Sequence, residues 1–157
     1  MKFSIEPLKD SWGVMIALAE AHWMETEMYR HGQMFNPSFD RYEQYDKAGW
    51  LFHFVARDEG KMVGYSLIYL VPSMHTQQQI ATEDTFFISP SHRKGRNGIR
   101  FYKFIEEEMT KRGAKEMMFT AKLTNKVGTI LEYLKFEKVA LQYCKQLGRA
   151  DSAHTQG

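Results

Sequence analysis

Short stretches in which every second residue is apolar alternate along the chain with longer ones in which apolar residues return every third or fourth position. Lys2 to Glu6 sets Phe3 and Ile5 against polar neighbours, as a half-buried strand does, and Pro7 closes it. From about Ser11 the residues Trp12, Met15, Ile16, Ala19 and Trp23 form the stripe of an amphipathic helix, weakened in its first turn by Gly13. Met28 to Asp46 mixes aromatic with polar residues around Pro37, and a short helix is predicted near Phe39 to Lys47. Trp50 to Ala56 and Met62 to Val71 are rich in β-branched and aromatic residues and read as a hairpin across Arg57-Asp58-Glu59-Gly60-Lys61. Pro72 ends its second arm, and Ser73 to Gln79 is polar enough for an exposed loop.

A strand follows through Glu83 to Ile88, stopped by Pro90. Then come the cationic turn Arg93-Lys94-Gly95-Arg96-Asn97-Gly98 and a helix with Phe101, Phe104, Ile105 and Met109 on one face, ended by Gly113. Glu116 to Ala121 reads as the next strand, and a crossover of that length joins parallel neighbours. Thr124 is the expected N-cap of a last helix carrying Val127, Ile130, Leu131 and Leu134. Val139, Leu141 and Tyr143 alternate with polar residues in a predicted final strand. No repeat or linker divides the chain, so one domain is expected over 1–147, with a loose polar tail over 148–157.

Composition narrows the function classes. With 43% apolar and 25% charged residues in 157, the chain is long enough to bury one core unaided. A net charge of +2 is too small to imply a polyanionic partner, so nucleic acid is not expected and any anion site must be local. The single Cys144 excludes an internal disulfide and Cys-rich zinc spacing, and is expected to be a buried small hydrophobe on the late strand. The six histidines show no short ligand pairing, so no metal site is predicted. No apolar run approaches membrane-spanning length and the amino terminus lacks a signal-type core, which makes a cytoplasmic location the expectation.

The local anion site is the turn. A helix that opens after a glycine-containing bend presents unpaired backbone N–H groups and the positive end of its dipole, here beside Arg93, Lys94 and Arg96.

Together Glu83 to Ile99, an acidic strand followed by a proline and a glycine turn opening a helix, resembles the acetyl-coenzyme A segment of the GNAT superfamily of N-acetyltransferases. The family pattern Arg/Gln-x-x-Gly-x-Gly/Ala falls with Arg93 first and Gly98 last, but Arg96 stands at the first glycine position. Thr124 to Phe136 is similar more weakly. The resemblance implies an α/β (α+β mixed) fold: a single domain with a central mixed, mostly antiparallel twisted sheet of six to seven strands and about four helices. It implies transfer of acetyl from acetyl-coenzyme A to a primary amine by direct attack. Phe87, Ile88, Arg93, Lys94, Gly95, Arg96, Asn97, Gly98, Ile99 and Asn125 would hold the cofactor, and Met28 to Asp46 would shape the acceptor side.

An amine with a pKa near ~10.4 is about 0.1% or less neutral at pH 7, so a carboxylate that takes its proton helps. Glu83 is the candidate base, with Asp84 on the opposite face of the strand; one of the two should face the cleft. Backbone N–H groups near Phe87 and Ile88 would serve the carbonyl oxygen if the strands splay there. In Ile130-Leu131-Glu132-Tyr133-Leu134-Lys135-Phe136, Leu131 holds the family's proton-donor tyrosine position and Lys135 its glycine. Tyr133, the donor candidate, is displaced by two residues, a rotation of about 200° on a helix. The acceptor could be a small molecule, a peptide or a protein amine, and a homodimer is allowed for. Two rivals stand beside this reading: a GNAT-fold module without catalysis that still binds coenzyme A, and a small nucleic-acid binder using Arg93 to Arg96.

Overall fold

The computed structural model describes residues 1–148. Beyond Gly148, the predicted tail lies outside the described residues. The elements in chain order are β1 (Lys2–Ile5), α1 (Leu8–Thr26), α2 (Met28–His31), α3 (Phe39–Lys47), β2 (Leu51–Asp58), β3 (Lys61–Pro72), β4 (Gln79–Ile88), α4 (Asn97–Lys111), β5 (Glu116–Met118) and α5 (Val127–Tyr133). The sheet runs β1-β2-β3-β4-β5, antiparallel except for the β4–β5 pair, which the α4 crossover makes parallel. The β2–β3 hairpin closes on Glu59 and Gly60, both with positive φ (49° and 80°), as a tight two-residue turn needs.

Each face of the sheet carries its own core. Phe54, Ala56, Ile68, Ala81 and Ile88 pack against Phe101, Ile105 and Met109 of α4. Val55, Tyr65, Leu67 and Phe87 pack against Leu8, Met15 and Ala19 of the α1 side. Along β4 the even-numbered Ile88 and odd-numbered Ala81 share a face because the register with β3 slips by one: Leu67 opposes Thr85 while Ile68 opposes Glu83. Asp84 is the extra residue of this bulge.

Several expectations are corrected. Among the described residues the sheet has five strands, not six to seven, and the predicted final strand is absent. Val139, Leu141 and Tyr143 are 80%, 69% and 89% exposed, because their alternation meets no strand edge to pair with and no face to bury against. Cys144, expected to be buried on that strand, is exposed instead. β5 stops at Met118 rather than Ala121, since the Thr120 N–H is taken by the Glu83 carboxylate and not by a ladder carbonyl. Thr124 does not cap the last helix; α5 begins at Val127, whose N–H is accepted by Asn125 Oδ1 at 3.1 Å. Helices number five among the described residues, the addition being the single turn α2, closed by Gly32 at φ 62°.

Candidate active site

The early end of β5 opens the sheet. β4 and β5 pair only from Ile80–Glu116 to Thr82–Met118, while β4 continues alone to Ile88. The Ser89 N–H donates to Val63 O, so by strand alternation the Phe87 amide also faces β3 and the Ile88 amide faces the opened gap. A cavity of about 670 Å³ wraps this free edge. Of the residues nominated from sequence, Glu83, Phe87, Ile88, Arg93, Gly95, Gly98, Ile99 and Asn125 line it. Lys94, Arg96, Asn97 and Tyr133 are not among its lining residues.

One end of the cavity is the start of α4. Gly95 takes the left-handed conformation (φ 63°) that turns the chain into the helix. The Arg100 N–H is the first to bond back, to Arg96 O, and no side chain caps the end, so the amides of Asn97, Gly98 and Ile99 lack intrahelical partners. A Cβ at Gly98 would meet nothing within 4 Å, so backbone is open to the cavity there. These features fit a phosphate group at the helix N-terminus. The nearby cations are partly committed. Arg93 forms a two-pronged pair with Glu25 (2.8 and 2.7 Å), donates Nε–H to Ile88 O at 2.6 Å and lies over the Phe87 ring. Arg96 donates to the Tyr133 hydroxyl at 2.9 Å, and Asn97 Nδ2 donates to His92 O.

The other end holds the carboxylates. The bulge lets both line the cavity, where only one was expected to face it. Glu83 turns toward β5 and accepts from Thr120 N–H at 2.8 Å; Asp84 turns toward α3 and accepts from the Tyr42 hydroxyl at 2.9 Å. Burial pushes Glu83 up to about 7, with the Thr120 N–H opposing and the Asp84 charge adding. Asp84 is open to the water of the cavity yet walled by protein, and that desolvation raises its carboxyl too, against the hydrogen bond from Tyr42.

A sequence model of the acetyltransferase (GNAT) family matches residues 16–129. The chain belongs to this family. No curated protein matches it. Solved structures similar to it share the fold. A ribosomal-protein-alanine N-acetyltransferase from Brucella melitensis biovar Abortus 2308 is 17% identical over 94% of this chain and 98% of its own, with a TM-score of 0.71. An aminoglycoside acetyltransferase from an uncultured soil metagenomic sample, in complex with sisomicin, is 15% identical over 93% and 95%, with a TM-score of 0.72. An aminoglycoside N-acetyltransferase in complex with coenzyme A is 15% identical over 92% and 99%, with a TM-score of 0.66.

In this GNAT chain three further cavity residues escaped the sequence reading: Tyr102, Tyr65 and His22. The Tyr102 ring stacks on Phe86 with centroids 3.9 Å apart, and burial raises its phenol well above the usual range. It follows Phe101 in α4 just beside the apolar stripe, which was the available signal. Tyr65 meets His22 Nδ1 at 2.9 Å, while the His22 ring stacks on Phe87. Burial lowers His22 to about 4 and keeps it neutral at pH 7. Their contact spans 43 residues of sequence, so no local pattern announces it. No helix among the described residues is long and apolar enough to cross a membrane.

Proposed function

We propose that this protein is an acetyl-coenzyme A dependent N-acetyltransferase acting on a primary amine, working in the cytoplasm. The observation that carries the reading is the meeting, in one cavity, of an uncapped helix start, a free strand edge and a carboxylate held near pH 7. When bound, acetyl-coenzyme A supplies a thioester carbonyl: the amine nitrogen–carbon bond forms, the carbon–sulfur bond breaks, and the sulfur leaves as a thiolate that takes up a proton. The amides of Gly98 and Ile99 and the side chains of Arg93 and Asn125 would hold it, with Lys94, Gly95, Arg96 and Asn97 completing the turn. Glu83 accepts the proton of the incoming ammonium at its carboxylate, directly or through a water, and passes it to solvent. The Ile88 N–H, pointing into the gap, is the donor available to a carbonyl oxygen there.

For the proton returned to sulfur, Tyr102 stands beside Tyr133 as a candidate, because Tyr102 lines the cavity and remains a phenol at neutral pH. Among the similar structures are acetyltransferases of aminoglycosides and of a ribosomal protein alanine, all amine acceptors, which supports an amine here. The test is a thiol-release assay across a panel of amines, with calorimetry of coenzyme A alone. Binding and transfer are expected. Binding without transfer to any amine would instead support the non-catalytic rival, and no binding at high micromolar coenzyme A would refute the cofactor assignment.

A further inference from the structure

The acceptor end of the cavity has a composition that selects among amines. Its α1 wall is Trp12, Ile16 and Trp23, spaced four and seven residues apart on one helical face, all half-buried and lining the cavity. The facing wall is Phe35, Pro37 and Tyr42. Aromatic contacts tie the two walls together: Trp12 packs on Tyr42 at 5.9 Å and Trp23 on Phe35 at 6.0 Å between centroids. The Trp23 indole N–H also donates to Gln33 O at 2.9 Å and pins the segment that carries Phe35.

The charges are as selective. Four acids line the cavity, Glu25, Glu27, Glu83 and Asp84. Glu25 is paired with Arg93, and Glu27 with Lys122, Arg30 and His31. Among the described residues no cation forms an ion pair with Glu83 or Asp84. Glu83 lies toward β5, at the chemistry. Asp84 alone stands at the aromatic end, beside Tyr42. A polycation brought here would find one uncompensated carboxylate and a wall of rings; its remaining ammonium groups would be desolvated without partners, which is costly.

We propose, resting on the N-acetyltransferase reading, that the acceptor is a small monoamine carried on an apolar or aromatic body. Its ammonium is drawn by Asp84 and the faces of the surrounding rings, and its body lies in the cavity against Trp12, Trp23 and Phe35. The amine turns to Glu83 for loss of its proton, attacks the thioester carbon, loses a second proton as the amide forms, and one proton goes to the departing thiolate. One proton is released overall. Asp84 is thus a binding residue that touches the substrate.

The experiment measures kcat/KM for 2-phenylethylamine, tryptamine, spermidine, kanamycin and an apolar hexapeptide with a free amino terminus. In parallel, quenching of tryptophan fluorescence by 2-phenylethylamine without cofactor is read in the wild type and in Trp12→Phe and Trp23→Phe. The expectation is that the arylalkylamines exceed spermidine and kanamycin by about tenfold or more, the scale of one desolvated ion pair or cation–π contact. Asp84→Asn should raise KM for 2-phenylethylamine about tenfold with kcat changed less than threefold, since it removes binding and not chemistry. Preference for spermidine, kanamycin or the hexapeptide would overturn the inference while leaving N-acetyl transfer standing. Transfer to no amine, with coenzyme A still bound, would overturn the function and the inference together. Arylalkylamine quenching that neither tryptophan variant reduces would overturn the placement of the body.

Discussion

Replacing Glu83 with Gln should make the protein less active and, above neutral pH, more stable. The side chain sits at about 7 against an ordinary 4.5, and at about 1.4 kcal/mol per pKa unit this difference favours the neutral form by about 3 kcal/mol. Partial solvent contact on the cavity wall screens some of this, so about 1 to 2 kcal/mol is the figure to expect. The sign follows from linkage. The folded pKa lies above the unfolded one, so the unfolded chain gives up its proton first as pH rises. The folded state therefore pays nothing below about pH 4.5, progressively more through the window, and the full penalty above about pH 7. Gln carries no charge at any pH and still offers an oxygen to the Thr120 N–H. Urea unfolding at pH 4.5 should give equal stabilities for wild type and variant, and at pH 8 should favour the variant.

Activity runs the other way, with a loss of about 10² to 10⁴ at neutral pH. The shapes of the profiles should also differ. With Glu83 as base, the reacting forms are carboxylate and ammonium, so kcat/KM rises to about pH 7 and then levels until the amine itself titrates near ~10.4. Without it, only free amine reacts and the rate keeps climbing, so the gap closes at alkaline pH. A variant less stable than wild type at pH 8 would refute the burial argument, and one that keeps the wild-type pH profile would refute the role as base.

Gly98→Val should leave folding nearly intact, since a Cβ there meets nothing within 4 Å, yet fill the approach to the α4 amides and weaken coenzyme A binding by tenfold or more in calorimetry, on the order of 1.4 kcal/mol. Arg96→Gly should lower coenzyme A affinity and flatten its salt dependence, whereas Tyr133→Phe, which only releases the guanidinium now bonded to Tyr133, should not; unchanged affinity in Arg96→Gly would assign that arginine to holding α5. His53 is buried with Nδ1 on the Ser11 hydroxyl at 3.0 Å and Nε2 unpartnered, and desolvation lowers it to about 4. Its contribution to stability is intact above about pH 6.5 and lost as pH falls toward 4, so a His53→Gln variant should show a shallower acid limb in thermal melts between pH 6.5 and 4.

What could be read from the residues divides by range. The α3 span and the cationic turn carry their signals within a few positions: Ser38 Oγ accepts from Arg41 N–H at the α3 start, and Gly95 sits where the chain must turn left-handed. The predicted last strand failed for the opposite reason. Alternation in Val139, Leu141 and Tyr143 states a preference, but a strand also needs a partner edge, and whether β5 offers one depends on where β5 stops. That is decided by a side chain 37 residues away, Glu83, which captures the Thr120 amide. The Tyr65–His22 and Arg93–Glu25 contacts are of the same kind, joining α1 to β3 and to the turn after β4 across long stretches of chain.

The bulge at Asp84 draws these threads into one cause. If this same sequence paired without the slip, parity along β4 would be unbroken, and Ala81 and Ile88, seven residues apart, would fall on opposite faces; both instead belong to the α4 core. A regular strand would therefore have to expose one of them or turn Phe87 out of the α1 core. The slip resolves that conflict within a single residue and places Glu83 and Asp84 at the rim where β5 departs, one carboxylate toward each side of the sheet. Two acids adjacent in sequence thereby acquire separate environments, Glu83 among backbone amides near the gap and Asp84 among rings. A deletion of Asp84 tests this joint origin more sharply than any substitution. It leaves Ala81 and Ile88 six residues apart and so on one face of a regular strand, which should keep both cores and most of the thermal stability while removing the carboxylate beside Tyr42 and weakening amine binding. A loss of thermal stability on the scale of a misplaced core residue, or unchanged amine binding, would refute this account of the register.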